Sequence, residues 1–103
     1  MKLKHIYLIT FCIFVFSKVN SDEVYNLGKE VFLNNGNCAS CHTLKDANSM
    51  ANVGPNLNLI KPDIGRVINS VTNGIGVMPS MLGILTDKEI KAVAYYVSEA
   101  SMN

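Results

Sequence analysis

The chain has 103 residues, which is room for one small domain, and 49% of them are hydrophobic. Nine basic residues stand against eight acidic ones, but three of the basic residues, Lys2, Lys4 and Lys18, lie in an N-terminal segment that we expect to be removed. The remaining chain, with six basic and eight acidic residues, lacks the electrostatic footprint of a nucleic-acid-binding protein.

The first residues carry the pattern of a cleavable export signal. Two lysines precede an apolar run at 6–16, and small residues follow up to Ser21. The run is well short of the roughly 20 residues needed to span a bilayer, so we expect no stable membrane insertion. We predict cleavage after Ser21, which assigns 1–21 to a signal peptide and 22–103 to one mature domain.

Three segments of the mature chain have the spacing of amphipathic helices. The first, at about 23–34, begins with acidic residues and ends in asparagines and a glycine. The second follows Pro62, repeats apolar residues at i, i+3, i+4 and i+7, and stops before Gly74. The third begins at Thr86, which forms a capping box with Glu89. No segment alternates convincingly between apolar and polar residues, so we predict an all-α fold.

The segment at 43–61 is broken repeatedly by asparagine, glycine and proline. A loop of this length is unusual in so small a domain unless it is functional or wraps a bound group. A mature domain of about 80 residues also has little core of its own and often needs a disulfide, a metal or a cofactor. Both observations lead us to expect a bound group beside this loop.

The segment NCASCH, at 37–42, contains the strongest chemical signal. Cys38, Cys41 and His42 stand at i, i+3 and i+4, so one helical turn brings their side chains to one face. CxxCH is the attachment signal of a c-type haem, in which two thiols add to vinyl groups and the imidazole binds iron. We therefore predict one covalent haem c, with Cys38 and Cys41 forming the thioethers and His42 as an iron ligand.

Other uses of a CxxC pair fit less well. A disulfide enzyme would place the pair after a strand in a βαβ pattern, and the sequence predicts no such strand. A structural zinc site needs further ligands, but Cys12 and His5 leave with the signal and no other cysteine or histidine remains. A plain disulfide across so short a loop would stabilise little and leave His42 unexplained.

A sixth iron ligand would have to come from another part of the chain, and methionine sulfur is the leading candidate. Met78 lies in NGIGVMPSM, at 73–81, where two glycines permit a turn and Pro79 fixes the chain beyond the sulfur. Met81, three residues on, is the alternative. Methionine in a small domain more often fills the core, which is the competing interpretation for either residue.

Four segments, GKEVFLNNGNCASCH, GPNL, VTNGIGVMPSM and LTDKEIKAVAYYV, occur in the order found in class I monohaem cytochromes c. The chain closely resembles this family from about Gly28 to Val97, most of all the small bacterial c-553 and algal c6 types. The resemblance implies a small helical domain wrapped around one covalent haem, with Met78 as the distal iron ligand.

The resemblance also implies two contacts. The carbonyl of Pro55 would accept a hydrogen bond from His42 and orient the imidazole ring, although sequence physics alone would read Gly54 and Pro55 as a loop turn. Gly28 and Phe32 on the first helix would meet the last helix near Tyr96, where glycine permits a close crossing.

Two protein ligands would leave no open position on the iron, which favours a one-electron carrier over an enzyme. We expect a monomer in the periplasm, or in the thylakoid lumen of a photosynthetic source, with an uncharged contact surface at 75–85. Its expected partners are a quinol-oxidising cytochrome complex and a terminal oxidase or a periplasmic dehydrogenase. The alternatives are a cytochrome subunit of a periplasmic dehydrogenase, oxidising for example sulfite or an alcohol, and an enzyme or gas sensor with a labile sixth ligand.

Overall fold

The computed structural model describes residues 20–103. The signal peptide predicted for 1–21 lies almost wholly outside the described residues. The described chain forms four α-helices and one two-stranded antiparallel ladder, in the order α1 (Ser21–Leu33), β1 (Thr43–Leu44), β2 (Ser49–Met50), α2 (Leu57–Ile60), α3 (Ile64–Asn73) and α4 (Asp87–Ala100).

The three predicted helices are present, with small differences at their ends. α1 begins two residues earlier than predicted, because Asn20 forms a capping box with Glu23 and satisfies the free N–H groups of the first turn. α3 begins at Ile64, where the carboxylate of Asp63, and not Pro62, provides the N-cap. The predicted capping box between Thr86 and Glu89 is confirmed at the start of α4.

The crossing of α1 and α4 organises the fold, and these two helices make the most extensive contact between elements. A Cβ atom at Gly28 would lie 2.5 Å from Cβ of Tyr96 and would also overlap the backbone of Ala92. Glycine therefore sets how closely the helices approach. The ring of Phe32 packs edge-on against the ring of Tyr96, with centroids 5.8 Å apart, so the contact that the resemblance implied is confirmed.

α3 packs against α4 on the other side and closes the core. Its buried face carries Val67 and Val71, one turn apart. The largest fully buried side chains of the core come from α1, β1 and α4; they are Tyr96, Phe32, Leu44, Val31 and Val93.

The segment between α1 and α3 is more regular than the sequence predicted. β1 and β2 pair antiparallel, with Thr43 opposite Met50, and the short helix α2 follows. Asparagines perform local tasks here: Asn48 adopts a left-handed conformation at φ 53°, and the side chain of Asn56 caps α2. Strands of two residues are too short to show an alternating pattern, so the sequence gave no signal for them.

A polar cluster ties this segment to the helices. The hydroxyl of Tyr96 donates to Oδ2 of Asp46 at 2.7 Å, and Nζ of Lys29 lies 3.4 Å from the same oxygen. Asp46 is partly buried, which alone would raise its pKa, but hydrogen bonds from Tyr96 and Tyr25 and the charge of Lys29 lower the pKa below its ordinary value. The cluster anchors the segment that follows CxxCH.

Among the described residues, no helix combines the length and the apolar character needed to cross a bilayer.

Candidate functional site

The CxxCH segment forms a tight turn directly after α1. Gly36 N–H donates to the carbonyl of Val31 at 2.8 Å and ends the helix, and a 3-10 turn then covers Cys38–Ser40. The carbonyl of Cys38 accepts from the N–H groups of Cys41 at 3.1 Å and His42 at 3.0 Å. One helical turn therefore carries both cysteines and the histidine, as their spacing predicts.

A buried serine holds this turn from below. Ser49 on β2 is only 6% exposed, and its hydroxyl makes hydrogen bonds to the carbonyl oxygens of Ala39, at 2.8 Å, and of His42. The hydroxyl thus satisfies two backbone acceptors that the short turn cannot satisfy itself. The sequence analysis missed Ser49, since an isolated serine in a polar loop carries no spacing signal.

The imidazole of His42 is fixed from its other side by Gly54 and Pro55. Nδ1 of His42 lies 2.8 Å from the carbonyl oxygen of Pro55, and the N–H of Gly54 donates to the carbonyl of Cys41 at 2.7 Å. Because a carbonyl can only accept, Nδ1 carries the hydrogen, and Nε2 of the neutral ring keeps its lone pair for a metal. A Cβ atom at Gly54 would lie 2.6 Å from Cε1 of His42, so only glycine fits against this ring.

An apolar cavity opens beside the turn, with about 710 Å³ of empty space including its mouth. Cys38, His42 and Met78 contribute to its wall. The volume is within the roughly 300–1,000 Å³ of small-molecule and cofactor sites. The rest of the wall is mainly apolar and comes from all four helices and the loops between them, for example Phe32, Leu57, Val67, Val71, Val93 and Val97.

Met78 reaches the cavity from a tight turn after α3. Ile75 and Met78 exchange both backbone hydrogen bonds, at 3.0 and 2.9 Å, and Gly74 and Gly76 adopt positive φ angles of 76° and 58°. The turn is tied back to α3, because the hydroxyl of Ser80 donates to the carbonyl of Thr72 at 2.6 Å.

Met81, the alternative ligand, has a different environment. Its N–H donates to the carbonyl of Val71 at 2.8 Å, and its partly buried side chain packs against the core. It is not among the residues that line the cavity, whereas Met78 is.

The two cysteines are free thiols, and Cys38 lies against the cavity. Burial raises the pKa of the Cys38 thiol to about 11, which keeps it protonated at neutral pH. A buried thiol of this kind is not the activated thiolate that a disulfide enzyme or a cysteine nucleophile needs.

The donor set of the site fits a c-type haem. Two thiols spaced for thioether formation, an imidazole with a free Nε2 and a methionine sulfur belong to one apolar cavity of cofactor size. These residues would bind the two vinyl groups and the two axial positions of the iron.

The comparisons with known proteins agree with this chemistry. Residues 24–97 match the family model described as cytochrome C oxidase, cbb3-type, subunit III. The cytochrome c6 of Leptolyngbya boryana is 36% identical over 75 residues, which cover 68% of this chain and 85% of the relative. The chain is a small monohaem class I cytochrome c. Like its family, this cytochrome carries one covalently bound haem c.

Two further comparisons extend this conclusion. The cytochrome c6 of Synechocystis sp. is 36% identical over 81 residues, but the match covers only 60% of that relative's length. The crystal structure of the c-type cytochrome SorU from Sinorhizobium meliloti superimposes with a TM-score of 0.74 at 52% identity, covering 78% of this chain and 93% of that one. The predicted fold and cofactor are thereby confirmed, and the relatives support an electron-carrying cytochrome.

Proposed function

We propose that this cytochrome is an exported one-electron carrier in which His42 and Met78 bind the haem iron and Cys38 and Cys41 form the thioethers. The observation that carries the proposal is the shared cavity of Cys38, His42 and Met78. Bound haem c supplies reversible one-electron chemistry at iron. With an imidazole and a thioether at the axial positions, no coordination site remains for a substrate, so we expect no enzymatic activity.

The protein residues adjust this chemistry. The hydrogen bond from Nδ1 of His42 to the carbonyl of Pro55 fixes the ring orientation and makes Nε2 more basic. Methionine ligation raises the reduction potential, because a thioether favours ferrous iron. The apolar wall of the cavity acts in the same direction, since it disfavours the additional charge of the ferric state. We therefore expect a moderately positive potential.

The segment that carries Met78 supports a contact surface for redox partners. No charged residue occurs at 75–85, and several of its apolar side chains face solvent, with Val77 92% and Ile84 66% exposed. Large exposed apolar side chains concentrated in one segment are typical of interaction surfaces. Encounters between electron-transfer proteins bury small areas and are transient, which suits a monomeric carrier.

The cellular setting of the carrier remains as the sequence predicted it. The signal pattern at 1–21 supports export to the periplasm, or to the thylakoid lumen of a photosynthetic source. In that compartment the expected donor is a quinol-oxidising cytochrome complex, and the expected acceptor is a terminal oxidase or a periplasmic dehydrogenase.

The second candidate is a haem subunit of a larger redox complex. The family model that matches residues 24–97 is described as an oxidase subunit, which favours this alternative over any other. Chromatography of the protein from its native host under mild conditions separates the two candidates. A carrier elutes at the mass of the monomer, whereas a subunit elutes with its complex.

The ligand assignment is tested on protein produced in a host that attaches haem c. Intact mass measures the covalent addition, and the weak sulfur-to-iron absorption band of the oxidised protein reports methionine ligation. Met78→Ala is expected to abolish this band while the covalent mass remains. Met81→Ala, the matched control three residues away, is expected to retain it. A band that survives in Met78→Ala and disappears in Met81→Ala would overturn the assignment.

A further inference from the structure

The cavity has one polar edge that the ligand set does not use. Besides Cys38 and His42, its lining contains only two polar side chains, Arg66 and Ser70. Both belong to α3 and stand one turn apart, beside the buried apolar pair Val67 and Val71. α3 therefore presents to the cavity an apolar row and, next to it, a short polar row.

The guanidinium of Arg66 is the one permanently charged group in the lining of the cavity. Arg66 is exposed, which locates it at the mouth. Within residues 20–103 the ion pairs shorter than 4.0 Å join Lys29 to Asp46 and Lys91 to Asp87, so Arg66 has no carboxylate partner there. The nearest acid in sequence, Asp63, uses its carboxylate to cap α3 through the backbone N–H of Arg66 at 2.8 Å.

Haem has a matching asymmetry. Its ring is apolar and suits the rest of the cavity wall, but one edge carries two propionate carboxylates. A carboxylate taken partly out of water needs a charged or hydrogen-bonding partner, and arginine pairs with carboxylates through two parallel N–H groups. A lysine cannot serve as well here: Lys61, which precedes Pro62, already donates its ammonium group to the carbonyls of Asn58 and Ser101.

We propose that Arg66, assisted by the hydroxyl of Ser70, binds a haem propionate at the mouth of the cavity. This inference deepens the proposed function and rests on the haem site described there. It assigns the polar row of α3 two tasks: the guanidinium offsets the charge of the propionate, and the row fixes which edge of the haem faces solvent. A positive charge held beside the haem also stabilises ferrous relative to ferric iron.

The test compares Arg66→Gln, Arg66→Lys and Lys88→Gln in the full-length protein with haem attached. Lys88 is an exposed residue of α4 outside the cavity lining, so its variant removes the same charge elsewhere. Two quantities are measured on each: the reduction potential by equilibrium titration and the propionate bending band by resonance Raman spectroscopy. Arg66→Gln should lower the potential and shift the band. Arg66→Lys should keep the potential nearer to wild type but still shift the band, because the two-pronged hydrogen bond is lost.

Lys88→Gln should leave both quantities at their wild-type values. An Arg66→Gln protein that matches Lys88→Gln in both measurements overturns the proposal. A lower potential with an unchanged Raman band also overturns it, because the charge would then act without contacting the propionate. Ser70→Ala should shift the band by less than Arg66→Gln. These outcomes are independent of the ligand assignment, which the covalent mass and the sulfur-to-iron band of the wild-type protein test separately.

Discussion

Nδ1 of His42 and the carbonyl oxygen of Pro55 are 2.8 Å apart, and Gly54 presses its backbone against the same imidazole. The loop therefore acts as a rigid stop behind the ring. The hydrogen bond sets the tautomer, and the missing side chain of glycine sets the distance. Both features follow from two adjacent residues of the GPNL segment.

Replacing Gly54 by alanine tests this contact. The new methyl group would lie 2.6 Å from Cε1 of His42, so ring and loop must separate. We expect a loss of about 1–3 kcal/mol in the free energy of unfolding, together with a changed potential. Denaturant unfolding and redox titration measure the two effects. Gly65→Ala is the control: a methyl group there meets only Oδ1 of Asp63 at 3.6 Å, and alanine favours the helix by about 0.5–1 kcal/mol. Equal stability of the two variants would contradict the prediction.

Ser49→Ala removes the hydroxyl that supports the CxxCH turn. The carbonyls of Ala39 and His42 then lose their donor in a buried place, which costs about 1–3 kcal/mol. Ser40→Ala makes the same chemical change on the exposed side of the turn, where the hydroxyl binds the carbonyl of Asn37 at 2.7 Å. Its expected cost is about 0.5 kcal/mol or less. Urea unfolding of both holoproteins compares them, and losses of the same size would argue against a supporting role for Ser49.

Asp46→Asn should weaken the protein in a pH-dependent manner. The pKa of Asp46 is lowered in the folded protein, so its ionised form contributes stability above the unfolded-state pKa of about 3.9, and this contribution is lost as the pH falls through the lowered folded value. The difference between wild type and variant is therefore largest near neutrality and shrinks in acid. Unfolding measured at a series of pH values gives this difference. A gap that grows toward low pH would refute the prediction.

The turn that carries Met78 depends on Gly74 more than on Gly76. A Cβ atom at Gly74 would lie 2.9 Å from the carbonyl oxygen of Met78 and 2.9 Å from N of Ser80, whereas one at Gly76 would meet nothing within 4 Å. Both alanine variants incur the cost of a positive φ, about 1–2 kcal/mol. Only Gly74→Ala should also displace Met78 and weaken the sulfur-to-iron band. Identical spectra for the two variants would disprove this difference.

A lysine in the exposed apolar segment at 75–85 should slow electron transfer to a native partner. Ile84→Lys introduces a charge whose desolvation opposes close contact, so the bimolecular rate should fall while the potential stays the same. Met102→Lys, also at an exposed methionine but near the C-terminus, should leave the rate unchanged. Stopped-flow kinetics measures both variants. An unaltered rate in Ile84→Lys would eliminate this segment as the contact surface.

Local rules predicted the parts of the fold that short sequence patterns govern. The capping box of Thr86, the face of α3 and the one-turn geometry of Cys38 and His42 all depend on spacings of three or four residues. The close helix crossing at Gly28 came from the family resemblance. A lone glycine in a helix does not show what lies opposite it.

The features that spacing could not predict depend on partners distant in sequence or on single polar residues. Ser49 acts on Ala39, and Asp46 is set by Tyr96, fifty residues away. The asparagines at 48 and 56 were correctly seen as breaks in the chain, but their roles as a left-handed turn residue and a helix cap emerged only from backbone angles. Arg66 resembled any surface charge until α3 placed it beside the cavity.

The hydrogen bonds that tie Met78 to Ile75, and Ser80 to Thr72, hold the methionine turn through the protein backbone itself. The imidazole of His42 is held just as independently by the carbonyl of Pro55. In the proposed carrier, neither axial ligand depends on the iron for its position, so little nuclear motion accompanies a change of oxidation state. A low reorganisation energy, and hence fast self-exchange between oxidised and reduced molecules, is the consequence of a turn only four residues long.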